Sequence, residues 1–424
     1  MTFRAASGYN IVDNRIRIGS LNEKNNQEVL KMAKKSLTSL VLIAVVLLFY
    51  CTSVMANPPG WRITQLTNNS LYDEYPQISG TNVVWEGWDG GGYEIFFYNG
   101  TTTTQLTDNI FSDEHPQISG SNVAWECFDG SDWEIFFYNG TATTQLTNNN
   151  FDDRYPQMSG TNVVWYGYDG SDYEIFFYNG TTTIQLTNNS FNEYWPQISD
   201  TNVVWYCSDG NDYEIFLCNG TSTTQLTNNS IDDGYPQISG TNVVWEGSDG
   251  NDWEIFFYNG TTTTQLTNNS FNDWYPQISG SNVVWQGWDG SDDEIFFYNG
   301  TITTQLTNNS FDDMGSQISG TNIVWQGRVD GSDWEIFFYN GTATTQLTNN
   351  NFDDRSPQIS GTNVVWWGYD GHDDEIFMAV PCLYLLAGDL NDDCKVDCYD
   401  FATFASNWLI DCIEEPDNPA CIPK

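Results

Sequence analysis

Short apolar runs, separated by polar turns, recur along the chain at a fixed spacing. Runs of three to five such residues have the length of strands rather than helices. A period of about 40 residues built from runs of this kind indicates an array of β units that pack against one another. The triplet Gln-Leu-Thr marks each unit, with its glutamine at Gln65, Gln105, Gln145, Gln185, Gln225, Gln265, Gln305 and, after one inserted residue, Gln346.

The unit that contains Pro156 shows how four strands, a to d, follow from the pattern. Strand a is predicted at residues 157–159, b at 163–166, c at 174–178 and d at 182–187. Gly-Thr-Asn, Asp-Gly and Asn-Gly sequences separate these runs and supply the positive φ that tight turns need. Four antiparallel strands per unit, repeated eight times, predict the blades of a β-propeller.

The two ends of the array are complementary half-units. The chain enters with residues 62–67, a strand d without its own a, b and c, and the last unit ends at 375–377 without a strand d. Pairing the two segments would complete the last blade and remove both free sheet edges. We therefore predict an all-β, eight-bladed propeller over residues 61–380, closed by its N-terminal strand. A stacked solenoid, which needs no complementary ends, is the weaker alternative.

Strand b carries a tryptophan in every unit, within runs that are apolar on both sides of the strand. Blades whose two faces both pack on neighbours require such a pattern, so we interpret the stripe as inter-blade core rather than a ligand cage. The eight residues are Trp85, Trp125, Trp165, Trp205, Trp245, Trp285, Trp325 and Trp366.

The repeat resembles the Tol-type β-propeller repeat, which has an LTNN strand, an acidic turn, P-x-(I/W)-S, a V-V-W strand, DG and then E-I-F. The resemblance covers residues 61–379 and implies a propeller fold. The Tol propeller has six blades and a separate N-terminal domain, so its envelope partners are not carried over to this eight-unit array.

The balance of charge excludes one class of partner. The chain has 56 acidic and 13 basic residues, and from residue 57 onward 53 acids face 6 bases. Such a surface repels nucleic acid and anionic lipid, because phosphate binding needs Lys and Arg.

The N-terminal segment predicts export. Residues 32–56 combine two lysines, an apolar run at 40–50 and small residues before Asn57, the order of a secretory signal. The apolar run is short for a membrane span, so an uncleaved anchor is the minority interpretation. Residues 1–31 are polar and lack periodicity, and we interpret them as an extra or non-native extension. The expected location is extracellular or at the cell surface, with the periplasm as the alternative.

One face of the predicted propeller carries the sequence variation. The d–a and b–c connections share that face, and they interleave acids with aromatics, whereas SGTN and YNGT turns on the other face hardly vary. Aromatics beside carboxylates suit sugar rings; alternatively, the aromatics are core rim and the aspartates form Asx turns. The DGSD loops carry only a weak calcium signal. The candidate ligand-binding residues are Tyr75, Trp88, Tyr93, Trp133, Tyr155, Tyr168, Tyr173, Trp195, Trp253, Trp274, Trp288, Trp334 and Tyr369.

Catalytic residues are not singled out by the repeats. The chain has two histidines, His115 and His372, neither near an evident Ser or Cys partner. Glu174 and its equivalents recur beside buried aromatics, which favours a structural acceptor over a general acid. Acids are abundant enough to leave a catalytic pair open, and Tol-like propellers occur among polysaccharide lyases.

A different composition begins at residue 382 and extends to 424. Oxygen-bearing side chains stand at positions 1, 3, 5, 9 and 12 of a loop, and position 7 offers a backbone carbonyl, which is the spacing of an EF-hand calcium loop. The predicted ligands are Asp389, Asn391, Asp393, Lys395 through its carbonyl, Asp397 and Asp400. A short amphipathic helix is predicted after the loop, from Phe401, Phe404, Ala405 and Trp408.

This tail resembles a dockerin repeat, in its loop-then-helix order and in the Asp rather than Glu at position 12. The resemblance implies a bound Ca²⁺. It departs at position 6, which is Cys394, and in having one loop, whereas dockerins that bind cohesins have two. Five tail cysteines are expected to form disulfides with one left over, while Cys127, Cys207 and Cys218 are predicted to be free thiols.

The sequence thus favours an exported, non-enzymatic propeller that binds an extracellular glycan or protein, with a calcium-loaded dockerin-like tail for attachment. A cohesin-like partner is doubtful with a single loop. The alternatives are a polysaccharide-degrading lyase or glycoside hydrolase on the same scaffold, and a Tol-like periplasmic envelope protein.

Overall fold

A computed structural model describes residues 57–329, 331–382, 388–390, 394–396 and 400, and it confirms the eight-bladed, all-β propeller. Residues 57–383 form one compact unit of eight four-stranded antiparallel sheets. The predicted signal segment, half of the calcium loop and the predicted helix lie outside the described residues. Among the described residues, no helix is long and apolar enough to span a membrane.

The strands take the same four places in every blade. Strand a is β2 (Asp73–Ser79), β6 (Asp113–Ser119), β10 (Asp153–Ser159), β14 (Glu193–Ser199), β18 (Asp233–Ser239), β22 (Asp273–Ser279), β26 (Asp313–Ser319) and β30 (Asp354–Ser360). Strand b is β3 (Asn82–Trp88), β7 (Asn122–Phe128), β11 (Asn162–Tyr168), β15 (Asn202–Ser208), β19 (Asn242–Ser248), β23 (Asn282–Trp288), β27 (Asn322–Arg328) and β31 (Asn363–Tyr369).

The outer half of each blade is formed by strands c and d. Strand c is β4 (Tyr93–Tyr98), β8 (Trp133–Tyr138), β12 (Tyr173–Tyr178), β16 (Tyr213–Cys218), β20 (Trp253–Tyr258), β24 (Asp293–Tyr298), β28 (Trp334–Tyr339) and β32 (Asp374–Pro381). Strand d is β5 (Thr103–Gln105), β9 (Thr143–Gln145), β13 (Thr183–Gln185), β17 (Thr223–Gln225), β21 (Thr263–Gln265), β25 (Thr303–Gln305), β29 (Thr344–Gln346) and, for the eighth blade, β1 (Trp61–Gln65).

Strand a is longer than the sequence predicts, and strand d is shorter. In the third blade, β10 starts at Asp153, before the predicted start, and the register with β11 shifts between Arg154 and Gln157. Tyr155 lies inside this irregularity with a φ of 51°. The following Pro156 cannot donate to the ladder, and a bulge lets the strand continue past it.

The N-terminal strand closes the ring as predicted. β1 pairs antiparallel with β32, with Trp61 opposite Pro381 and Gln65 opposite Phe377. The Trp61 ring lies 4.7 Å from the Phe338 ring of the seventh blade. Strand a of each blade contacts strand a of the next blade, from β2 and β6 round to β30, and β30 in turn contacts β2. Strand a is therefore the innermost strand and surrounds the propeller axis.

The tryptophan stripe of strand b is the inter-blade core, as predicted. All eight indoles are at most 1% exposed. In the third blade, Trp165 Nε1 donates to Asp153 Oδ1 at 2.7 Å, so the polar edge of the ring is satisfied inside the core. Val164 and Ile175 pack against Val203 and Trp205 of the next blade. Each blade thus buries both faces against neighbours.

The nearly invariant SGTN turns join each blade to the next. The amide of Gly160 donates to Ser119 Oγ at 2.8 Å, and Asn122 Nδ2 donates to the Gly160 carbonyl at 2.9 Å. The same pair of bonds closes the ring, since the Gly80 amide donates to Ser360 Oγ at 2.8 Å. The uniformity of this face is therefore structural.

The cysteines in the described residues fall into two groups. Cys127, Cys207 and Cys218 are buried free thiols, which confirms the prediction. Cys207 lies opposite Glu214 and Cys218 opposite Val203, so the two are not register partners. Of the cysteines from residue 382 onward, Cys382 and Cys394 each take part in a disulfide.

Candidate ligand-binding face

The d–a and b–c connections meet on one face of the propeller. In the third blade, the Tyr168 amide at the end of strand b donates to the Asp152 carbonyl in the d–a connection, at 3.0 Å. The amide of Trp133, in the second blade, donates to Asp152 Oδ1 at 3.2 Å, so this connection also contacts the preceding blade. The variable loops therefore form a continuous surface around the axis.

An arc of rings occupies the inner edge of this face. Six blades place an aromatic or imidazole side chain at the third residue of strand a, and we call this set the aromatic arc. Neighbouring ring centroids lie 4.6 Å apart for His115 and Tyr155, and 4.8 Å apart for Tyr155 and Trp195. The arc continues with ring centroids 6.5 Å apart for Trp195 and Tyr235, and 6.2 Å apart for Tyr235 and Tyr275. Its members are Tyr75, His115, Tyr155, Trp195, Tyr235 and Tyr275.

The two remaining blades leave a gap in the arc. Gly315 and Ser356 occupy the equivalent positions in the seventh and eighth blades, with φ values of 66° and 50°. All eight positions share this left-handed conformation, which non-glycine residues seldom adopt. The bulge before the proline or serine that follows imposes it. The arc therefore results from one left-handed backbone conformation that every blade repeats, combined with side chains that differ from blade to blade.

Strand b of the preceding blade holds this strained conformation in place. Glu86 Oε2 accepts the His115 amide at 2.9 Å, and Glu246 Oε2 accepts the Tyr275 amide at 2.9 Å. Gln326 Oε1 accepts the Ser356 amide at 2.7 Å in the same way. A buried carboxylate oxygen therefore lies directly behind His115 and Tyr275 of the arc, and an amide oxygen occupies the equivalent place at Ser356 in the gap.

Burial changes the acidity of these carboxyls. Desolvation raises the pKa of Glu86 to about 7, with the His115 amide opposing the shift, and it raises the pKa of Glu246 to about 7. At neutral pH these groups are therefore divided between the charged and the protonated form. Both forms can accept a hydrogen bond, and the protonated form can also donate one.

His115 belongs to a charged cluster that is not repeated in other blades. Its Nδ1 lies 3.0 Å from Glu126 Oε1, and Arg154 Nη2 lies 2.9 Å from the same oxygen. Burial lowers the pKa of His115, but the hydrogen bond and charge of Glu126, with Glu86 and Glu114, raise it above its ordinary value overall. Arg154 also lies over the Trp133 ring at 4.3 Å.

All but one of the sequence-predicted aromatics fall into an inner or an outer group; the exception is Trp274, the second residue of strand a in the sixth blade. Tyr75, Tyr155 and Trp195 are members of the arc. The outer group flanks the b–c turns as cross-strand pairs, for example Trp88 opposite Tyr93 with rings 5.4 Å apart. The other outer residues at these two positions are Trp133, Tyr168, Tyr173, Trp253, Trp288, Trp334 and Tyr369.

Three of the predicted tryptophans have surroundings of their own. Trp274 and Trp288 line a shared cleft of about 610 Å³ beside Asp252. Trp334 is buried, at 5% exposed, and the Arg328 guanidinium lies over its ring at 4.4 Å. Trp334 therefore offers little surface to a ligand in this conformation.

Sequence reasoning missed half of the arc. His115, Tyr235 and Tyr275 were not among the candidates, although they stand in the same register as Tyr75 and Tyr155. Aligning the eight residues that precede the Pro-Gln or Ser-Gln of strand a would have revealed Tyr, His, Tyr, Trp, Tyr, Tyr, Gly and Ser. What the repeat does not reveal is that this column faces the axis.

The recurring aspartates and glutamates have the structural roles considered above. Asp129 Oδ1 accepts the Ser131 amide at 2.9 Å, an Asx turn. Glu174 Oε1 accepts the Asn189 amide at 2.7 Å and so anchors the following d–a connection. These bonds use one oxygen of each carboxylate.

The described part of the tail loop fits a calcium cage. Cys394, at position 6, has a φ of 66°, the sharp turn for which glycine is the usual residue there. Its amide donates to Asp389 Oδ2 at 2.9 Å, and the Leu390 amide donates to Asp400 Oδ1 at 2.5 Å. Both carboxylates are buried. Lys395 is described as well, whereas Asn391, Asp393 and Asp397 lie outside the described residues.

Comparisons with known proteins address the fold only. No protein-family model matches the chain, and no curated protein sequence matches it. The propeller is similar to the β-propeller domain of the Trilobed protease from Pyrococcus furiosus, which has an open velcro topology; the TM-score is 0.51 at 14% identity, over 67% of this chain and 99% of that one.

Two further solved structures are similar to this chain in fold. The computationally designed Ika8 protein has a TM-score of 0.51 at 15% identity, over 74% of this chain and 98% of that one. A prolyl endopeptidase has a TM-score of 0.51 at 8% identity, over 71% of this chain, which spans about half (54%) of that protein. At these identities the likeness extends to the propeller fold alone.

Proposed function

We propose that this chain is an exported binding module that holds an extracellular polysaccharide on the aromatic arc of its propeller. The observation that carries the proposal is the arc itself, six rings on six successive blades beside the axis. Four of them are substantially exposed, including Tyr275 at 57% and Trp195 at 38%. Exposed rings clustered at one place on a rigid scaffold are typical of a binding surface.

The chemistry around the arc favours a carbohydrate. The flat rings offer stacking surfaces to the apolar faces of sugar rings, as they do in aromatic pairs. Glu74 and Glu114, which stand next to arc residues in strand a, can accept hydrogen bonds from sugar hydroxyls. The net charge of −43 opposes a polyanionic ligand. A neutral polysaccharide therefore fits better than a uronate polymer, and a surface protein is the alternative ligand.

The gap in the arc gives the site a direction. Gly315 and Ser356 present no ring, so the seventh and eighth blades leave the axis open on one side. In this proposal the chain of sugars crosses the face through the gap and continues over the outer pairs such as Trp88 and Tyr93. This asymmetry also distinguishes the seventh and eighth blades from the other six.

The tail serves in this proposal as a calcium-dependent attachment segment. Asp389 and Asp400 would contribute carboxylate oxygens, and Lys395 its backbone carbonyl, with Asn391, Asp393 and Asp397 completing the set. Calcium would neutralise the acidic loop and hold its two ends together. Titration by calorimetry should show a site that the Asp389→Ala variant loses, and the same calcium-binding heat in the parent and the variant would contradict this part.

A polysaccharide panel tests the proposed function. The full chain is incubated with soluble neutral and uronate-containing polysaccharides, and each mixture is scored for binding by affinity electrophoresis and for cleavage by product release. We expect retardation by at least one neutral polymer without product release. The absence of binding to every polymer, with capture of a surface protein instead, would overturn the glycan assignment.

The second candidate is a polysaccharide-degrading enzyme, and one observation favours it. The His115–Glu126 pair couples an imidazole of raised pKa to a fully buried carboxylate, a pairing that could move a proton. Product release that is lost in His115→Ala but kept in the matched Tyr75→Ala variant would support this candidate over the binding module.

A further inference from the structure

The turn between strands b and c contains a repeated group of three carboxylates. In the second blade these are Asp129, Asp132 and Glu134, and one oxygen from each lies within 4.8 Å of the others. The spacing is Asp-x-x-Asp-x-Glu. The same spacing and proximity occur in the next three blades, at Asp169, Asp172 and Glu174, at Asp209, Asp212 and Glu214, and at Asp249, Asp252 and Glu254.

Hydrogen bonds account for only part of these oxygens. Asp129 Oδ1 and Glu134 Oε1 accept backbone amides, at 2.9 Å and 2.7 Å. Both carboxylate oxygens of Asp132 and the Oε2 of Glu134 are buried without a hydrogen-bond partner, and Asp132 is only 6% exposed. In the fourth blade, both carboxylate oxygens of Asp212 and the Oε2 of Glu214 are likewise buried without a hydrogen-bond partner. The same holds in the sixth blade for Asp292 and Glu294.

No salt bridge among the described residues compensates these groups. The salt bridges among the described residues involve only Glu126 and Asp353, and neither belongs to one of these five turns. A buried carboxylate without a partner costs several kcal/mol and requires a proton or a cation.

A fourth side-chain oxygen comes from the following d–a connection. Asp152 Oδ1 accepts a hydrogen bond from the Trp133 amide at 3.2 Å, and Trp133 lies between Asp132 and Glu134 in the chain. In the next two blades this place is taken by Asn192 and Asp232, which accept the Tyr173 and Tyr213 amides at 2.9 Å and 3.1 Å. Each turn thus combines oxygens from two successive units of the repeat.

We propose that the b–c turns of the second to sixth blades are binding sites for a divalent cation of the calcium class. Each site consists of the two aspartates and the glutamate of the turn, with the Asp or Asn oxygen of the following connection. The donor set contains only oxygens, which hard cations prefer, and six to eight such ligands at flexible positions suit Ca²⁺ better than octahedral Mg²⁺. The bound ion joins each blade to the next at the ligand-binding face.

The first blade is a natural negative control. Gly92 stands where the other turns have their second aspartate, and a Cβ there would lie 2.4 Å from the Phe111 carbonyl oxygen. The eighth blade keeps three carboxylates but has Tyr72 at the position of the fourth oxygen. The chain therefore contains complete and incomplete versions of the same turn.

Metal content measured on the full chain tests the proposal. The protein is stripped with a chelator, dialysed against calcium at pH 7.5, and analysed by atomic emission. A fivefold variant carries Asp→Asn at Asp132, Asp172, Asp212, Asp252 and Asp292. Because asparagine has the same shape but no charge, the fold should persist by circular dichroism. We expect about five fewer calcium ions per chain and loss of the calcium-dependent rise in melting temperature.

The matched control is Asp89→Asn in the first blade, which should change neither quantity. Equal calcium content in the parent and the fivefold variant would overturn the proposal. Should the fivefold variant not fold, the single Asp132→Asn variant with terbium provides the test, because Trp133 adjoins the site. We expect a clear loss of the tryptophan-sensitised emission, whereas unchanged emission would overturn the assignment.

Discussion

The rings of Tyr155 and Trp195 lie 4.8 Å apart, although 40 residues separate them in the chain. The propeller produces this contact because equivalent residues of successive innermost strands face the same axis. The same register brings His115 to 4.6 Å on the other side of Tyr155. A linear repeat is thereby converted into a continuous surface, which is the basis of the proposed polysaccharide site.

Closure of the ring by the N-terminal strand predicts a large effect of Trp61→Ala. Trp61 is 7% exposed and packs on Phe338, while its strand completes the eighth blade. Truncating a buried aromatic costs about 3–5 kcal/mol. We expect a loss of this size in the free energy of unfolding, measured by guanidinium titration, and faster proteolysis of the chain ends.

The control for this prediction is Ile110→Ala. Ile110 is 79% exposed in a d–a connection, and its truncation should change stability by less than about 0.5 kcal/mol. If Trp61→Ala changed the free energy of unfolding as little as Ile110→Ala, the packing of the closing strand would contribute nothing to the stability of the ring.

The buried aspartates that accept a hydrogen bond from the strand-b tryptophans predict that the free energy of unfolding falls as pH rises. Desolvation raises the pKa of Asp153, Asp313 and Asp354 to about 7, against 3.8 for the ordinary group. Between about pH 4 and 7 the folded chain therefore binds more protons than the unfolded chain, so the free energy of unfolding decreases with pH across this window. Calorimetry in chelator should show a melting temperature at least about 4 °C lower at pH 8 than at pH 5.

The Asp313→Asn variant is the matched control for this pH dependence. Asparagine can still accept the Trp325 Nε1 proton, which Asp313 Oδ1 accepts at 2.9 Å. The variant removes one titrating group, so its melting temperature should vary less with pH than that of the parent. A parent protein that becomes more stable from pH 5 to pH 8 without metal would contradict the assignment.

The buried thiols predict a two-step labelling pattern. Burial raises the pKa of Cys127 and Cys207, and the nearby carboxylates Asp113 and Glu193 raise it further. These thiols are therefore protonated and inaccessible in the folded protein. Iodoacetamide at pH 8 should leave them unmodified until denaturant is added, as mass spectrometry of tryptic peptides would show. Modification at the same rate in the folded and unfolded protein would contradict their burial.

The fold was predictable because it depends on features that recur in every unit. The Val-Val-Trp runs identify strands that are buried on both faces, and the unpaired segments 62–67 and 375–377 identify the closure. The bounds of strand a were not predictable in the same way. Pro156 suggests a strand start, whereas the structure continues the strand past it through a bulge at Tyr155.

The candidate site was only partly predictable, for a physical reason. The sequence shows which loops vary but not how far each side chain lies from the axis. His115 looked isolated because it is one of two histidines, yet it occupies the register of Tyr75 and Tyr155. Trp334 looked like its equivalents, yet Arg328 lies over it and it is buried. Both differences arise from neighbours in space rather than in the chain.

The most direct test of the account is the affinity of a Tyr155→Ala/Trp195→Ala variant for the polysaccharide found in the panel. Isothermal titration would compare it with the parent and with Ile184→Ala, an exposed residue (47%) on the outermost strand β13. Each ring lost from the centre of a binding surface typically costs at least about 1.4 kcal/mol, or tenfold in Kd. The proposed polysaccharide site predicts a Kd at least about 100-fold higher for the double variant and an unchanged Kd for Ile184→Ala. Equal affinity of all three proteins would contradict it.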